Sequence, residues 1–134
     1  MELFEAYKIT LLMAGLTGVL MLVQLLIADA TAIKLQHTPG YPVDADHKNF
    51  LFRATRAHSN TNESVAIFIV FAFFAVLTGS DAVYLNAFSA LYFVSRLAHM
   101  CFYYADLKLA RSISFGFILI GLVGMFITGL IVWL

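Results

Sequence analysis

Long apolar stretches alternate with short polar ones along the chain, and this alternation predicts four helices. Each apolar stretch is long enough to cross a membrane, which takes about 20 mostly apolar residues. Because the links between the stretches are short, an up-down-up-down bundle is favoured. The predicted fold class is an all-α integral membrane protein with four transmembrane helices, and we expect a single domain over residues 1–134. The predicted helices cover about residues 3–33, 52–78, 82–107 and 112–134.

The connecting segments have the composition of loops and turns. The segment "LQHTPGYPVDADHKN" at 35–49 holds both prolines and is predicted to be the one long loop. Asp81, in "TGSDAV", is expected to cap the third helix. The first apolar stretch is too long for a signal peptide, and acidic Glu2 and Glu5 accompany Lys8 at its start, so we expect it to be retained.

Composition leads to the same class and excludes several functions. The 134 residues are 62% hydrophobic and 12% charged, whereas a soluble domain is about half apolar and a quarter charged. The net charge is zero and no basic patch with interleaved aromatics occurs, so no nucleic-acid partner is expected. Cys101 is the single cysteine, which excludes a disulfide framework and a cysteine-based zinc site. No metal is expected, because the histidines at 37, 47, 58 and 99 lack the spacing of a helical metal site.

Basic residues predict the orientation in the membrane. One end of the predicted bundle has six of them, while the other end has Lys8 together with Glu2, Glu5 and Asp81. By the positive-inside rule, the long loop and the third-to-fourth link face the cytoplasm and both termini lie on the opposite side. The short chain has no basic tail, which favours a bacterial inner membrane. The six basic residues at the cytoplasmic end are Lys34, Lys48, Arg53, Arg56, Lys108 and Arg111.

Polar residues form a stripe along the start of the second helix. Arg53, Arg56, Asn60 and Glu63 are spaced by three, four and three residues, which places them within an arc of roughly 80°. Glu63 lies about three turns beyond Arg53, at a depth where a carboxylate needs a partner. A purely structural interpretation has arginines that extend to the interface and an internal salt bridge for Glu63. It explains Arg53 but not why Asn60 and Glu63 share its face.

A second polar stripe occurs in the third helix. In "SRLAHMCFYYADLK", Arg96, His99 and Tyr103 are spaced by three and four residues. Arg96 is far from either end of its apolar stretch, so extension to the interface does not explain it. His99 taken alone would be interpreted as a hydrogen-bonded core residue. Arg111 and Ser112 follow at the predicted start of the fourth helix, where the helix dipole favours an anion.

Together these side chains suit a small zwitterion with several carboxylates. Arginines bind carboxylates in a bidentate manner, Glu63 can hold an ammonium group, and Asn60 can orient an amide. The sequence has no P-loop, no GxGxxG and no HExxH motif, and it suggests no Ser-His-Asp arrangement. The predicted site is therefore a binding pocket for a charged small molecule at the cytoplasmic end.

Two motifs resemble those of a known family. "FRATRAHSNTNE" resembles the second-helix signature of the MAPEG family, the membrane-associated proteins in eicosanoid and glutathione metabolism. "SRLAHMCFYY" followed by "ARS" is similar to the third-to-fourth-helix region of the prostaglandin E synthase type of this family. The signature Arg-x-x-Arg-Ala-His/Gln-x-Asn-x-x-Glu is matched at Arg53, Arg56, Ala57, His58, Asn60 and Glu63.

The resemblance implies a homotrimer that binds glutathione between neighbouring subunits near the cytosolic face. It implies that Arg111 stabilises the glutathione thiolate, with Ser112 beside it as the second catalytic residue. The first-helix arginine of the eicosanoid enzymes has only Lys34 as a loose counterpart, and an aromatic of the leukotriene synthase type is Ser64 here. The implied glutathione-binding residues are Arg53, Arg56, His58, Asn60, Glu63, Arg96, His99 and Tyr103.

These departures favour a bacterial-type membrane glutathione transferase, with glutathione-dependent peroxidase activity as a second reaction. Its partners would be glutathione, membrane lipid, and a lipophilic electrophile or lipid hydroperoxide. One alternative is a non-catalytic lipid-binding or scaffold protein of the same fold. Another is an unrelated transporter or channel subunit, which would distribute polar residues across the whole membrane depth. The last predicted helix instead carries no charged residue after Arg111.

Overall fold

The computed structural model describes residues 2–134, and this part of the chain forms four α-helices. A short 3₁₀ turn, Ile131–Trp133, follows the fourth helix. No β-strand occurs between residues 2 and 134, so the all-helical prediction is confirmed. The helices are α1 (Glu2–Lys34), α2 (Phe50–Leu77), α3 (Ala82–Tyr104) and α4 (Lys108–Leu130).

Helices α2 and α3 form the central pair of the bundle. Helices α1 and α4 each pack against both of them, and within residues 2–134 α1 and α4 do not contact each other. Phe68 and Tyr92 stack between the central helices with ring centroids 4.4 Å apart. Gly121 brings α4 close to α3, since a Cβ at this position would lie 3.1 Å from the Phe88 carbonyl oxygen and the Tyr92 nitrogen.

The surface and the helix lengths are those of an integral membrane protein. Helices α1, α2 and α4 are long and apolar enough to cross a membrane. The 23-residue α3 is not among them, because polar residues such as Arg96 and His99 reduce its hydropathy. Both of these side chains are buried inside the bundle. Large apolar side chains such as Leu22, Phe73 and Ile120 are exposed, as expected of a surface in contact with lipid.

Three helices end with a residue in the left-handed region, and this explains where the predicted bounds were wrong. After α3, Asp106 has φ 56°, its N–H donates to the Tyr103 carbonyl, and Leu107 N–H donates to the Phe102 carbonyl at 2.9 Å. This Schellman arrangement ends a helix. Helix α3 therefore ends at Tyr104 instead of 107, and α4 begins at Lys108 instead of 112. Gln36 (φ 52°) and Gly79 (φ 68°) have the same role after α1 and α2.

Helix α1 has an interruption that a side chain of α3 repairs. Tyr7 has non-helical angles, φ −105° and ψ 17°, and in a regular helix Thr10 N–H would donate to the Ala6 carbonyl. Here the Asn86 carboxamide is the hydrogen-bond partner of both backbone groups. Its Nδ2 donates to the Ala6 carbonyl at 2.8 Å, and its Oδ1 accepts from Thr10 N at 3.0 Å. The kink therefore leaves neither backbone group without a partner.

Candidate functional site

Three helices contribute polar side chains to one cleft of about 220 Å³. Asn60 comes from the first half of α2, His99 and Tyr103 from the last turns of α3, and Arg111 and Ser112 from the start of α4. These are five of the residues that the sequence predicted for the site. His99 and Tyr103 are four residues apart and therefore lie on one face of α3. Arg111 and Ser112 are adjacent at the start of α4, and Asn60 faces both pairs from α2.

Arg111 is the only arginine that lines the cleft within residues 2–134. Its guanidinium carbon lies 4.2 Å from the centroid of the Tyr103 ring, a cation–π distance. Its Nη1 is buried and has no hydrogen-bond partner among the described residues. Neither of the two ion pairs found in residues 2–134 involves an arginine. The cleft therefore presents a positive charge that no carboxylate among the described residues neutralises.

The other polar groups of the cleft differ in what they offer a ligand. His99 is only 3% exposed, its Nδ1 has no partner in the described chain, and its ring lies 5.2 Å from that of Tyr103. The Ser112 hydroxyl donates to the Lys108 carbonyl at 3.1 Å. Its proton is therefore engaged within the helix, and Ser112 faces the cleft as a hydrogen-bond acceptor instead of a donor.

Arg96 lies beneath the cleft and does not line it. The residue is 1% exposed, its Nη1 donates to Asn60 Oδ1 at 2.7 Å, and its Nη2 donates to Ser64 Oγ. Ser64 in turn is hydrogen-bonded to the Tyr92 hydroxyl at 2.8 Å. In the single subunit the Arg96 guanidinium therefore does not line the cleft, and the direct contact between Arg96 and glutathione stays a prediction.

Arg53 also has a partner other than a ligand. Its Nη1 donates to the His47 carbonyl at 2.5 Å and to the Lys48 carbonyl at 3.2 Å, and its guanidinium lies 5.4 Å from the Phe50 ring centroid. It therefore holds the end of the long loop against the start of α2. Both bonds come from one terminal nitrogen of the guanidinium, and the binding of glutathione by Arg53 stays a prediction.

The remaining predicted residues lie on α2 outside the cleft. Arg56 and His58 are half-buried, and Glu63 is exposed. At 100° per residue, Glu63 lies about 140° from the centre of the buried face of α2, and His58 projects on the side away from Asn60. Glu63 has no ion pair in residues 2–134, so the internal salt bridge of the purely structural interpretation is absent from this part of the chain.

Sequence reasoning missed three residues that build the site. Phe115 lines the cleft and lies four residues after Arg111, so helical spacing could have identified it. Ser64 is buried beneath Asn60, a role that no motif indicates. His47, from the loop, stacks on Tyr103 with centroids 6.4 Å apart, and its Nδ1 lies 3.9 Å from an Asp106 oxygen. The loop thus packs over the end of α3.

Comparison with protein families identifies the chain. The model of the MAPEG family matches residues 9–131 of the 134. The protein belongs to the MAPEG family. The resemblance inferred from the two motifs is thereby confirmed, and membership is consistent with a membrane glutathione transferase or a related function. Comparisons with curated proteins and with solved structures give no match.

Proposed function

We propose that this MAPEG protein is a membrane-bound glutathione transferase that also acts as a glutathione-dependent peroxidase. The observation that carries the proposal is the unneutralised guanidinium of Arg111 in the cleft, with its Nη1 lacking a partner in residues 2–134. A single guanidinium can pair with the one negative charge of a thiolate. Arg111 is the fourth residue of α4, at the end of the first turn, and the helix dipole there also attracts negative charge.

The energy required is within reach of one arginine. A free thiol has a pKa near 8.5, so about 3% of it is thiolate at pH 7. Lowering the pKa of the glutathione thiol by about two units makes the thiolate the main form and takes about 2.7 kcal/mol. A charge-assisted hydrogen bond contributes about 1.5–3 kcal/mol. The sulfur of glutathione is then the nucleophile, and no side chain of the protein needs to form a covalent bond.

The rest of the tripeptide would occupy the polar rim around Arg111. Asn60 and His99 offer hydrogen bonds to its carboxylate or peptide groups, and Tyr103 packs against the Arg111 guanidinium. Glu63 is exposed, about 20 Å along α2 from Phe50. Its carboxylate suits the ammonium group of glutathione. The lipophilic electrophile, or the lipid hydroperoxide, arrives through the membrane beside the exposed apolar faces of the helices.

A single subunit forms only part of such a site, which supports a homotrimer of up-down-up-down subunits. The cleft holds about 220 Å³, less than the roughly 300–1,000 Å³ of complete small-molecule pockets. Glu63 is exposed and has no partner in the described chain, and an exposed carboxylate within an apolar bundle is costly. We place glutathione between neighbouring subunits, at the cytoplasmic side of a bacterial inner membrane, since the basic residues lie at that end.

The test compares two substitutions in the first turns of α4. Arg111→Ala removes the charge that lines the cleft, whereas Lys108→Ala removes an exposed charge one turn earlier. At pH 7 and saturating glutathione, we expect Arg111→Ala to conjugate a chromogenic aromatic halide about 25-fold more slowly, because the thiolate share of the bound tripeptide falls from about three quarters to about 3%. Lys108→Ala should retain the wild-type rate and the ultraviolet absorption band of bound thiolate.

Equal rates for wild type and Arg111→Ala would remove Arg111 from this role. If reduced glutathione produces neither a thiolate band nor heat on binding to the wild type, while lipid still binds, the protein is instead the non-catalytic lipid-binding member. Glutathione-dependent thermal stabilisation of the detergent-purified protein provides an independent check, since a ligand of the folded state raises the unfolding temperature.

A further inference from the structure

The contact between Arg96 and Asn60 fixes which way the Asn60 carboxamide points. A guanidinium has five N–H donors and no acceptor, so the Asn60 atom that faces Arg96 Nη1 at 2.7 Å must be Oδ1. The amide nitrogen Nδ2 then points away from Arg96, and it makes no hydrogen bond within residues 2–134. Since Asn60 lines the cleft and its Oδ1 is held by Arg96, Nδ2 is the group of this side chain that remains free to donate.

Arg96 is itself held in place from a second direction. Its Nη2 donates to Ser64 Oγ, Ser64 is bonded to the Tyr92 hydroxyl at 2.8 Å, and the Tyr92 ring stacks on Phe68. The guanidinium carbon also lies 5.8 Å from the Tyr92 ring centroid. Arg96, Ser64 and Tyr92 are all buried. A carboxamide rotation at Asn60 would direct its NH₂ at a buried cation, so this arrangement excludes the flipped amide.

We infer that Arg96 is a positioning residue: it locks Asn60 with Nδ2 directed into the cleft, where Nδ2 donates to a carboxylate or peptide oxygen of the bound tripeptide. Arg96 does not touch the ligand. The inference rests on the proposed function and adds a role that the stripe of polar residues on α3 did not indicate. Together with Arg111 Nη1, the locked amide gives the cleft two donors, which select ligand groups that present acceptors at these two positions.

A double-mutant cycle on glutathione affinity tests this inference with the full-length protein in detergent. Asn60→Ala and Arg96→Gln should each weaken binding about tenfold, the loss of one well-oriented hydrogen bond to an anionic ligand. The double variant should bind no more weakly than Asn60→Ala alone, because Arg96 acts only through Asn60. Losses that multiply to about 100-fold would mean that Arg96 acts independently of Asn60, and this result would overturn the inference.

Milder variants keep the test decisive if Arg96→Gln does not fold. Ser64→Ala removes the hydrogen-bond acceptor of Arg96 Nη2 without changing Asn60. We expect it to weaken glutathione binding in the wild-type background and to cause no further weakening in the Asn60→Ala background. Ser89→Ala is the matched control: Ser89 is a buried serine of α3 whose hydroxyl donates to the Leu85 carbonyl and to the Thr10 hydroxyl, and its replacement should leave affinity unchanged. Equal losses from Ser64→Ala and Ser89→Ala would indicate a general packing effect and overturn the inference.

Asn60→Asp separates glutathione affinity from stability, which a purely structural role of Asn60 would change together. The aspartate retains an oxygen for Arg96 and gains an ion pair, so the unfolding temperature should not fall, but the Nδ2 donor is lost and affinity should drop at least about tenfold. Undiminished affinity would refute the role of Nδ2. The wild-type titration separates the two proposals: absence of glutathione binding there rejects the function itself, whereas binding with multiplicative losses rejects only the positioning role.

Discussion

Replacing Asn86 by leucine is expected to destabilise the protein through helix α1, although Asn86 belongs to α3. The substitution conserves size and removes the carboxamide that bridges the Ala6 carbonyl and the Thr10 N–H across the kink at Tyr7. The Thr10 hydroxyl also loses its acceptor, 2.8 Å away. Thr10 is only 1% exposed, so its released N–H and hydroxyl have few replacement partners.

The magnitude follows from counting these groups. A buried donor or acceptor left without a partner costs about 1–3 kcal/mol. Thr10 is buried, whereas the bond to the Ala6 carbonyl is exposed and its loss costs less. Part of the loss is recovered if α1 straightens and forms its own Thr10-to-Ala6 bond, but straightening would move Tyr7, whose hydroxyl donates to the Ser80 carbonyl. We therefore expect a loss of about 1–3 kcal/mol for Asn86→Leu.

Two further variants calibrate this prediction. Asn86→Asp retains the acceptor for Thr10 but not the donor for Ala6, and it should also destabilise because a carboxylate then faces a carbonyl oxygen. Thr10→Val removes only the hydroxyl and keeps the carboxamide bridge, so about 1 kcal/mol is expected.

Unfolding in detergent by increasing denaturant gives the free energies, and hydrogen exchange reports on the amide of Thr10. The reasoning is refuted if Asn86→Leu unfolds within about 0.5 kcal/mol of the wild type while the Thr10 amide remains protected, since α1 would then repair the kink without Asn86.

Two other predictions concern the stability of variants in which a glycine is introduced or replaced. Gln36→Gly should stabilise the fold by about 1 kcal/mol, because the native φ of 52° is strained for a residue with a side chain; Leu35→Gly, measured in the same thermal unfolding assay, should not stabilise. Gly121→Ala should destabilise the protein by about 1–3 kcal/mol, because the added Cβ would lie 3.1 Å from the Phe88 carbonyl oxygen and the Tyr92 nitrogen. Gly116→Ala, where an added Cβ meets nothing within 4 Å, should be neutral or slightly stabilising. Equal effects of the two substitutions would rule out close helix packing as the reason.

The sequence predicted much of the cleft, because a helix repeats every 3.6 residues whatever surrounds it. That regularity is sufficient to place His99 and Tyr103 on one face, and the polar start of α4 is sufficient to bring Arg111 and Ser112 near them. Periodicity says nothing about depth. Arg96 shares the face of His99, yet it lies a turn further into the bundle, where it meets Asn60 instead of a ligand.

Other features depended on contacts between distant parts of the chain. No local pattern indicates that Arg53 binds the carbonyls of His47 and Lys48, or that an asparagine of α3 completes a turn of α1. The end of α3 was misplaced because Asp106 adopts a conformation that glycine usually takes. Apolar composition continues past this point, and so the predicted helix continued with it.

The separation of α1 from α4 has a consequence for assembly. Because each packs on both central helices and they do not meet within residues 2–134, the subunit has two unlike flanks, one made by α1 and one by α4. Joining unlike flanks is a head-to-tail contact, which closes as a ring when the rotation permits. In such a ring, one copy with a defective flank among intact copies breaks a single junction and leaves an open chain of subunits, whereas a defect carried by every copy breaks all the junctions.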